Sequence, residues 1–152
     1  MFNRKTWKDG EYITQKYMKK EGYKIFYKNY SIAGVELDIV AIYYKELQIK
    51  KLKKQLKEKL KLEQSASKQE LLKKSYENII KTTNDLLIIT EVKSRSTDDF
   101  GIGLDAMDLK KRAHLIKGAK AIKLDKRFES MQVRFDVASV DGGKLDYIEN
   151  AM

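Results

Sequence analysis

The chain has 152 residues, 32 Lys and Arg against 22 Asp and Glu, nine Tyr, five Phe, a single His, no Cys and no Pro, with a formal net charge of +10. That length fits one domain with a substantial core. The absence of Cys excludes disulfides and thiolate metal sites, and His114 alone makes no histidine-rich zinc site, so any metal would be held by carboxylates, carbonyls and water, as suits magnesium, manganese or calcium.

Residues 10–21, GEYITQKYMKKE, place Ile13, Tyr17 and Met18 at helical spacing, with Gly22 as the stop. YKIFYKNY (23–30) reads as a strand and Ser31 to Gly34 as a turn. VELDIVAIYY (35–44) reads as a second strand, with Val35, Leu37, Ile39 and Ala41 on one face and Glu36, Asp38, Val40 and Ile42 on the other. Residues 45–85 change character, setting twelve Lys against six acids. Leu52, Leu56 and Leu60 mark one helical stripe there, Leu72, Tyr76, Ile79 and Ile80 a second, and Ser65-Ala66-Ser67 lies between them. This predicts a charged antiparallel helical hairpin, with helices over 45–63 and 68–82, inserted within a single domain spanning 1–152. Each arm would reach roughly 20–30 Å. Its lysines suit a nucleic-acid or partner arm, and equally the solvated outside of two zipped stripes.

Leu86 to Thr90 reads as a buried strand ending in Glu91, Lys93 and Arg95 on one face, and SRSTDDFGIGLDAMD (94–108) as a loop. Residues 106–124 read as a helix, with Met107, Leu115, Ile116, Ala119 and Ile122 inward and Lys110, Lys111, Arg112, Lys117 and Lys120 outward. MQVRFDVASV (131–140) is the last long strand, Asp141-Gly142-Gly143 a turn, and LDYIENAM a short final strand. This order predicts an α/β sandwich with a mixed sheet. No stretch approaches the about 18 apolar residues of a membrane span, and Met1 to Trp7 lacks the apolar run of a secretory signal. A soluble, cytoplasmic protein with no membrane partner is the expectation. The basic excess suits a polyanion such as nucleic acid, or reflects compositional drift toward lysine.

Charges ending an apolar strand are costly to desolvate without partners. If strands 35–44 and 86–93 are neighbours, Asp38 and Glu91 come within reach of one cation, which two close carboxylates need. Lys93, on the face of Glu91, would then hold an attacking water or stabilise charge on a phosphate. Glu11 reads as an acid opening the first helix, a position that favours acids in any helix. The same residues also suit plain ion pairs: Asp38 as a strand-edge charge, Glu91 with Lys93 or a neighbouring strand, Arg134 with Asp136. There is no Gly-x-Ser-x-Gly and no Gly-rich phosphate loop.

In order, GEYITQKYMKKEGYKIFYKNY, AGVELDIVA, IITEVKSRS, KKRAHLIKGAKAI, VRFDVASV and IENAM resemble the segments of the YraN-like family. That family is similar to the PD-(D/E)xK nuclease superfamily, akin to restriction endonucleases and archaeal Holliday-junction resolvases. The resemblance covers nearly everything outside residues 45–85. It implies an α/β fold with a restriction endonuclease-like core, a mixed β-sheet flanked by helices in α-β-β-β-α-β order. The hairpin at 45–82 would be an insertion where family members usually have a short turn. It further implies that Asp38 and Glu91 hold Mg2+ or Mn2+, with the Val92 carbonyl as a further ligand and Glu11 completing the site. Lys93 would be the catalytic lysine, and Arg95, Lys111 and Arg134, with the adjacent Arg112, would contact phosphates. Val35 stands where the family's Gly-Glu-x-Asp pattern has Gly. The implied activity is a metal-dependent endonuclease on branched or otherwise structured DNA. The alternative is a non-catalytic nucleic-acid- or protein-binding module with the hairpin as docking surface. A homodimer through the hairpin is a further expectation.

Overall fold

A computed structural model describes residues 4–95 and 109–152, with side chains described for 9–94 and 109–152. Its elements run α1 (Arg4–Lys20), β1 (Lys24–Ile32), β2 (Val35–Tyr43), α2 (Lys45–Leu62), α3 (Ala66–Thr82), β3 (Leu86–Arg95), α4 (Leu109–Ile122), β4 (Gln132–Asp141) and β5 (Lys144–Ile148). The strands form one mixed sheet in the order β1-β2-β3-β4-β5. The β3–β4 pair is parallel and the other pairs are antiparallel. A parallel pair needs a crossover rather than a tight turn, and α4 lies in that connection.

One helix covers each face of the sheet. Met18 of α1 packs with Tyr23, Ile39, Ala41, Tyr43 and Ile88 on one side. Leu115, Ala119 and Ile122 of α4 pack with Leu37, Val40, Ile42, Leu87, Ile89, Val137 and Phe128 on the other. Because β3 is sandwiched between both layers, Leu87, Ile88 and Ile89 are all fully buried, which explains its unbroken apolar run. The expected mixed α/β sandwich is therefore what the chain forms.

Local chemistry sets the boundaries. Gly22, at φ +95°, ends α1: its N–H donates to Lys19 O at 3.2 Å and the Tyr23 N–H to Met18 O at 2.9 Å. These are the paired bonds of a left-handed helix stop. Ala33 and Gly34, both at positive φ, form a two-residue turn closed by the Ile32–Val35 pair. Helices α2 and α3 meet through the expected stripes: Leu52, Leu56, Leu60, Leu72 and Ile80 are half-buried and Tyr76 is buried. Among the described residues no helix is long and apolar enough to cross a membrane.

The structure corrects three details and leaves one stretch undescribed. Helix α1 starts at Arg4, so Glu11 sits mid-helix rather than in a first turn. Leu37 leaves the expected alternation of β2, packing on Gly118 of α4 with Val40 and Ile42 rather than with Ile39 and Ala41. Ile79 and Ile116 are exposed rather than inward. The expected inward residue Met107 and the loop from Ser96 onward lie outside the described residues.

The hairpin's origin also fixes its direction. Tyr43 pairs with Leu86 at one end of the β2–β3 ladder, and Ile39 with Thr90 at the other. Helices α2 and α3 join the strands at the Tyr43–Leu86 end. The hairpin therefore leaves the sheet opposite the end that carries Asp38 and Glu91.

Candidate active site

One step beyond Ile39–Thr90, the same register sets Asp38 across from Glu91. The ladder stops there, and the Asp38 side chain replaces it: Oδ2 accepts the Val92 N–H at 2.8 Å. In an extended strand the N–H and C=O of one residue face the same edge. The Val92 carbonyl therefore faces the β2 side as well, past the last ladder pair.

Glu91 is 8% exposed. Its Oε1 accepts from Lys111 Nζ of α4 at 2.9 Å, while Oε2 is buried with no hydrogen-bond partner. Burial, and then the neighbouring charge of Glu91, push the Asp38 carboxyl up to about 7, against the pull of the Val92 N–H and Lys111. The Lys111 ammonium also feels the charge of Glu36, so three acids share this end of the sheet. A buried Glu91 carboxylate facing a second, destabilised carboxyl, with which it shares a hydrogen bond when one of the two is protonated, is a donor set that fits a hard divalent cation. Among the described residues no three His, Cys, Asp or Glu side chains form a ready-made metal cluster, so further ligands would be a carbonyl, water or a phosphate.

Lys93, two residues beyond Glu91 on the same strand, is half-buried and paired in register with Ser139. Glu11 lies at the same end of the molecule but belongs to the layer on the opposite face. Its neighbour Gly10 sits against Ser94 and Val92, and Glu11 Oε2 accepts from Asn29 Nδ2 at 3.2 Å. Asn29 falls between the pairs Lys28–Ile39 and Tyr30–Leu37, hence across from Asp38. The structure thus brings Asp38 and Glu91 together, keeps Lys93 two residues beyond Glu91 on β3, and turns Glu11 toward the strand that flanks them. Arg95 ends β3, its side chain outside those described; Arg112 and His114 are exposed on α4.

Arg134 is engaged elsewhere. It lies on the α1 face, its Nε and Nη2 each donating to the Asp136 carboxylate at 2.8 Å and Nη2 also to the Tyr23 hydroxyl at 2.7 Å. Asp136 is fully buried and accepts two further bonds, from Tyr147 OH at 2.7 Å and Asn150 N–H at 3.0 Å. The Arg134–Asp136 ion pair weighed from the sequence is formed, so the guanidinium fork expected to meet phosphate is occupied within the protein.

Two partners escaped sequence reasoning. Charge alone sends Lys111 outward, yet it shares an i, i+4, i+8 stripe with buried Leu115 and Ala119, a phase that signals an inward side chain. Asn29 carried no signal, because its role depends on a left-handed backbone at φ +48°.

The fold and this pair of acids define a mixed α/β protein with a paired-carboxylate site at one end of its sheet. Residues 78–140, from the end of α3 through β3 and α4 into β4, match the model of the uncharacterised protein family UPF0102. A UPF0102 protein of Fusobacterium nucleatum is 35% identical over 86 residues, covering 53% of this chain and 72% of the relative. Others match more evenly along their length: one from Sulfurihydrogenibium is 24% identical over 90% of this chain and 84% of its own. A third, from Dictyoglomus thermophilum, is 27% identical over 99% of both. The chain belongs to the UPF0102 family.

Proposed function

We propose that this protein is a metal-dependent endonuclease of the PD-(D/E)xK superfamily, with a restriction endonuclease-like core, acting on branched or otherwise structured DNA. The observation that carries the reading is the juxtaposition of Asp38 with the buried Glu91 carboxylate, with Lys93 two residues further along the same strand. Asp38 and Glu91 hold the ion, the Val92 carbonyl faces the same gap, and Glu11 supports it from across Asn29. Mg2+ or Mn2+ there would polarise a phosphoryl oxygen and lower the pKa of bound water. The Lys93 ammonium orients the attacking water or stabilises charge developing on the phosphate. Arg95, Lys111 and Arg112 would supply phosphate contacts that position the backbone without reading sequence. The +10 charge favours a polyanionic substrate.

The test is cleavage of branched, flapped, single-stranded and duplex DNA with Mg2+ or Mn2+, beside Asp38→Asn and Lys93→Ala. Cleavage is expected for the parent alone. Mn2+ should also raise the melting temperature of the parent and of Lys93→Ala, and leave that of Asp38→Asn unchanged, as binding linkage requires. Equal, metal-independent cleavage by all three proteins would overturn the assignment. One observation favours a non-catalytic binding module instead: Lys111 already neutralises Glu91 at 2.9 Å. That reading requires DNA affinity that persists in chelator and no metal-induced stabilisation.

A further inference from the structure

The hairpin carries a groove of about 510 Å³ lined by Lys53, Leu56, Lys57, Leu60, Lys61, Gln69 and Lys73. Every charged residue in its wall is a lysine. Lys53, Lys57 and Lys61 repeat at four-residue steps, so their ammonium groups stack along one face of α2 about 6 Å apart. Lys73 faces them from α3. Acids lie within helical reach, Glu70 and Glu77 flanking Lys73 and Glu58 three residues before Lys61. Even so, among the described residues none of the four groove lysines pairs with a carboxylate. Lysine–carboxylate pairs do form at Lys51–Glu21 and Lys111–Glu91, but what distinguishes the groove is the clustering of four lysines around one apolar floor.

We propose that this groove is a second DNA-binding surface, which holds the phosphate backbone remote from the acids. The wall contains no aromatic ring and no arginine, so it lacks the stacking platforms and planar forks that read bases. Flexible ammonium groups on a shallow apolar floor suit sequence-independent contact with phosphates, the aliphatic lysine stems lying along Leu56 and Leu60. A second copy of a chain with net charge +10 is disfavoured by the same charge. Because the hairpin leaves the sheet opposite Asp38 and Glu91, it would grip DNA away from the point of attack. The inference shares the DNA substrate with the nuclease reading and does not require cleavage.

The experiment measures binding of a fluorescent duplex of about three helical turns in EDTA, across a salt series. The parent is compared with a variant carrying Lys53→Gln, Lys57→Gln, Lys61→Gln and Lys73→Gln. A charge-matched control carries Lys68→Gln, Lys74→Gln, Lys81→Gln and Lys126→Gln. Loss of four phosphate contacts should make the dependence of log K on log salt shallower by about 3–4 in the groove variant, and clearly less so in the control. Equal loss in both variants means general charge attraction, and overturns the proposal. So does unchanged duplex binding by the groove variant, including the case in which an acidic helical peptide binds the parent groove instead. Cleavage by the parent with an unaltered slope sinks only the groove; a lowered slope with no cleavage sinks only the nuclease reading.

Discussion

Asp38 and Asp136 are both strand acids, and the structure treats them in opposite ways. Asp136 meets a bidentate guanidinium, a phenol and a backbone N–H; Asp38 meets one N–H and a second acid. Arg134→Ala would leave a fully buried carboxylate without its main counter-charge, at a cost of about 3–5 kcal/mol. Urea unfolding should show that loss, and Arg134→Lys should recover little of it, since an ammonium cannot fill both arms of the fork. For Asp38 the sign is reversed. Its carboxyl rises from the ordinary 3.8 to about 7, so the folded protein holds that proton more tightly than the unfolded chain does. The resulting stability is full below about pH 4 and is lost as pH rises through about 7. In chelator, unfolding free energy measured from about pH 5 to pH 8 should fall by on the order of 2–4 kcal/mol more in the parent than in Asp38→Asn. A parent more stable than Asp38→Asn at the alkaline end would contradict the strained pair. The pair itself was legible in the sequence, because two adjacent strands of opposite direction bring residues 38 and 91 together once their register is guessed. The network around Asp136 was not, since Tyr23, Tyr147 and Asn150 reach it from three separate segments.

At the scale of elements, periodicity carried most of the reading. The apolar run of β3, the two hairpin stripes and the α4 stripe each report one buried face. Alternation failed at Leu37, which packs with the α4 layer while Ile39, two residues on, packs with the α1 layer; Asp38 between them lies across from Asn29, whose backbone is left-handed. A strand that changes face at one residue no longer presents strictly alternating faces. The change of face delivers Leu37 to Gly118, where an added Cβ would lie 2.9 Å from Leu37 Cδ2 and 3.0 Å from Cδ1. Gly118→Ala therefore sets a gain in helix propensity of about 1 kcal/mol against an overpacking cost of about 1–3 kcal/mol. The expected net effect is a lower melting temperature, restored in part by Leu37→Val. Since α4 also presents Lys111 to Glu91, the single variant should weaken that ion pair as the helix moves outward, seen as a smaller loss on adding Lys111→Met than in the parent background. A Gly118→Ala protein that melts higher than the parent would show that helix and strand are not in close contact here.

The molecule as a whole is polar in its layout: paired acids at one end of the β2–β3 ladder, a lysine-rich hairpin at the other. Residues 45–85 carry twelve Lys against six acids, a large share of the net charge on a part of the chain that contributes no residue to the acid pair. Because Tyr43 and Leu86 already face each other across the ladder, an Asn-Gly turn replacing residues 44–85 can close β2 onto β3 without changing register. What the hairpin takes with it is peripheral to the sheet: the Lys51–Glu21 ion pair at 3.3 Å, the approach of Leu47 to Gly22, and the side of a cavity that Leu52 and Ile79 line with Tyr43 and Arg134. The shortened protein should keep its circular dichroism and a cooperative melt, at a reduced midpoint. Its affinity for Mn2+, followed by electron paramagnetic resonance, should stay within about threefold of the full chain, a difference below about 0.7 kcal/mol. Its affinity for duplex DNA in chelator should drop together with the salt dependence, because the cations go with the hairpin. Loss of Mn2+ affinity in a shortened protein that still melts cooperatively would mean that the two ends are coupled through β2 and β3. The hairpin would then be part of the site's support rather than a separate grip.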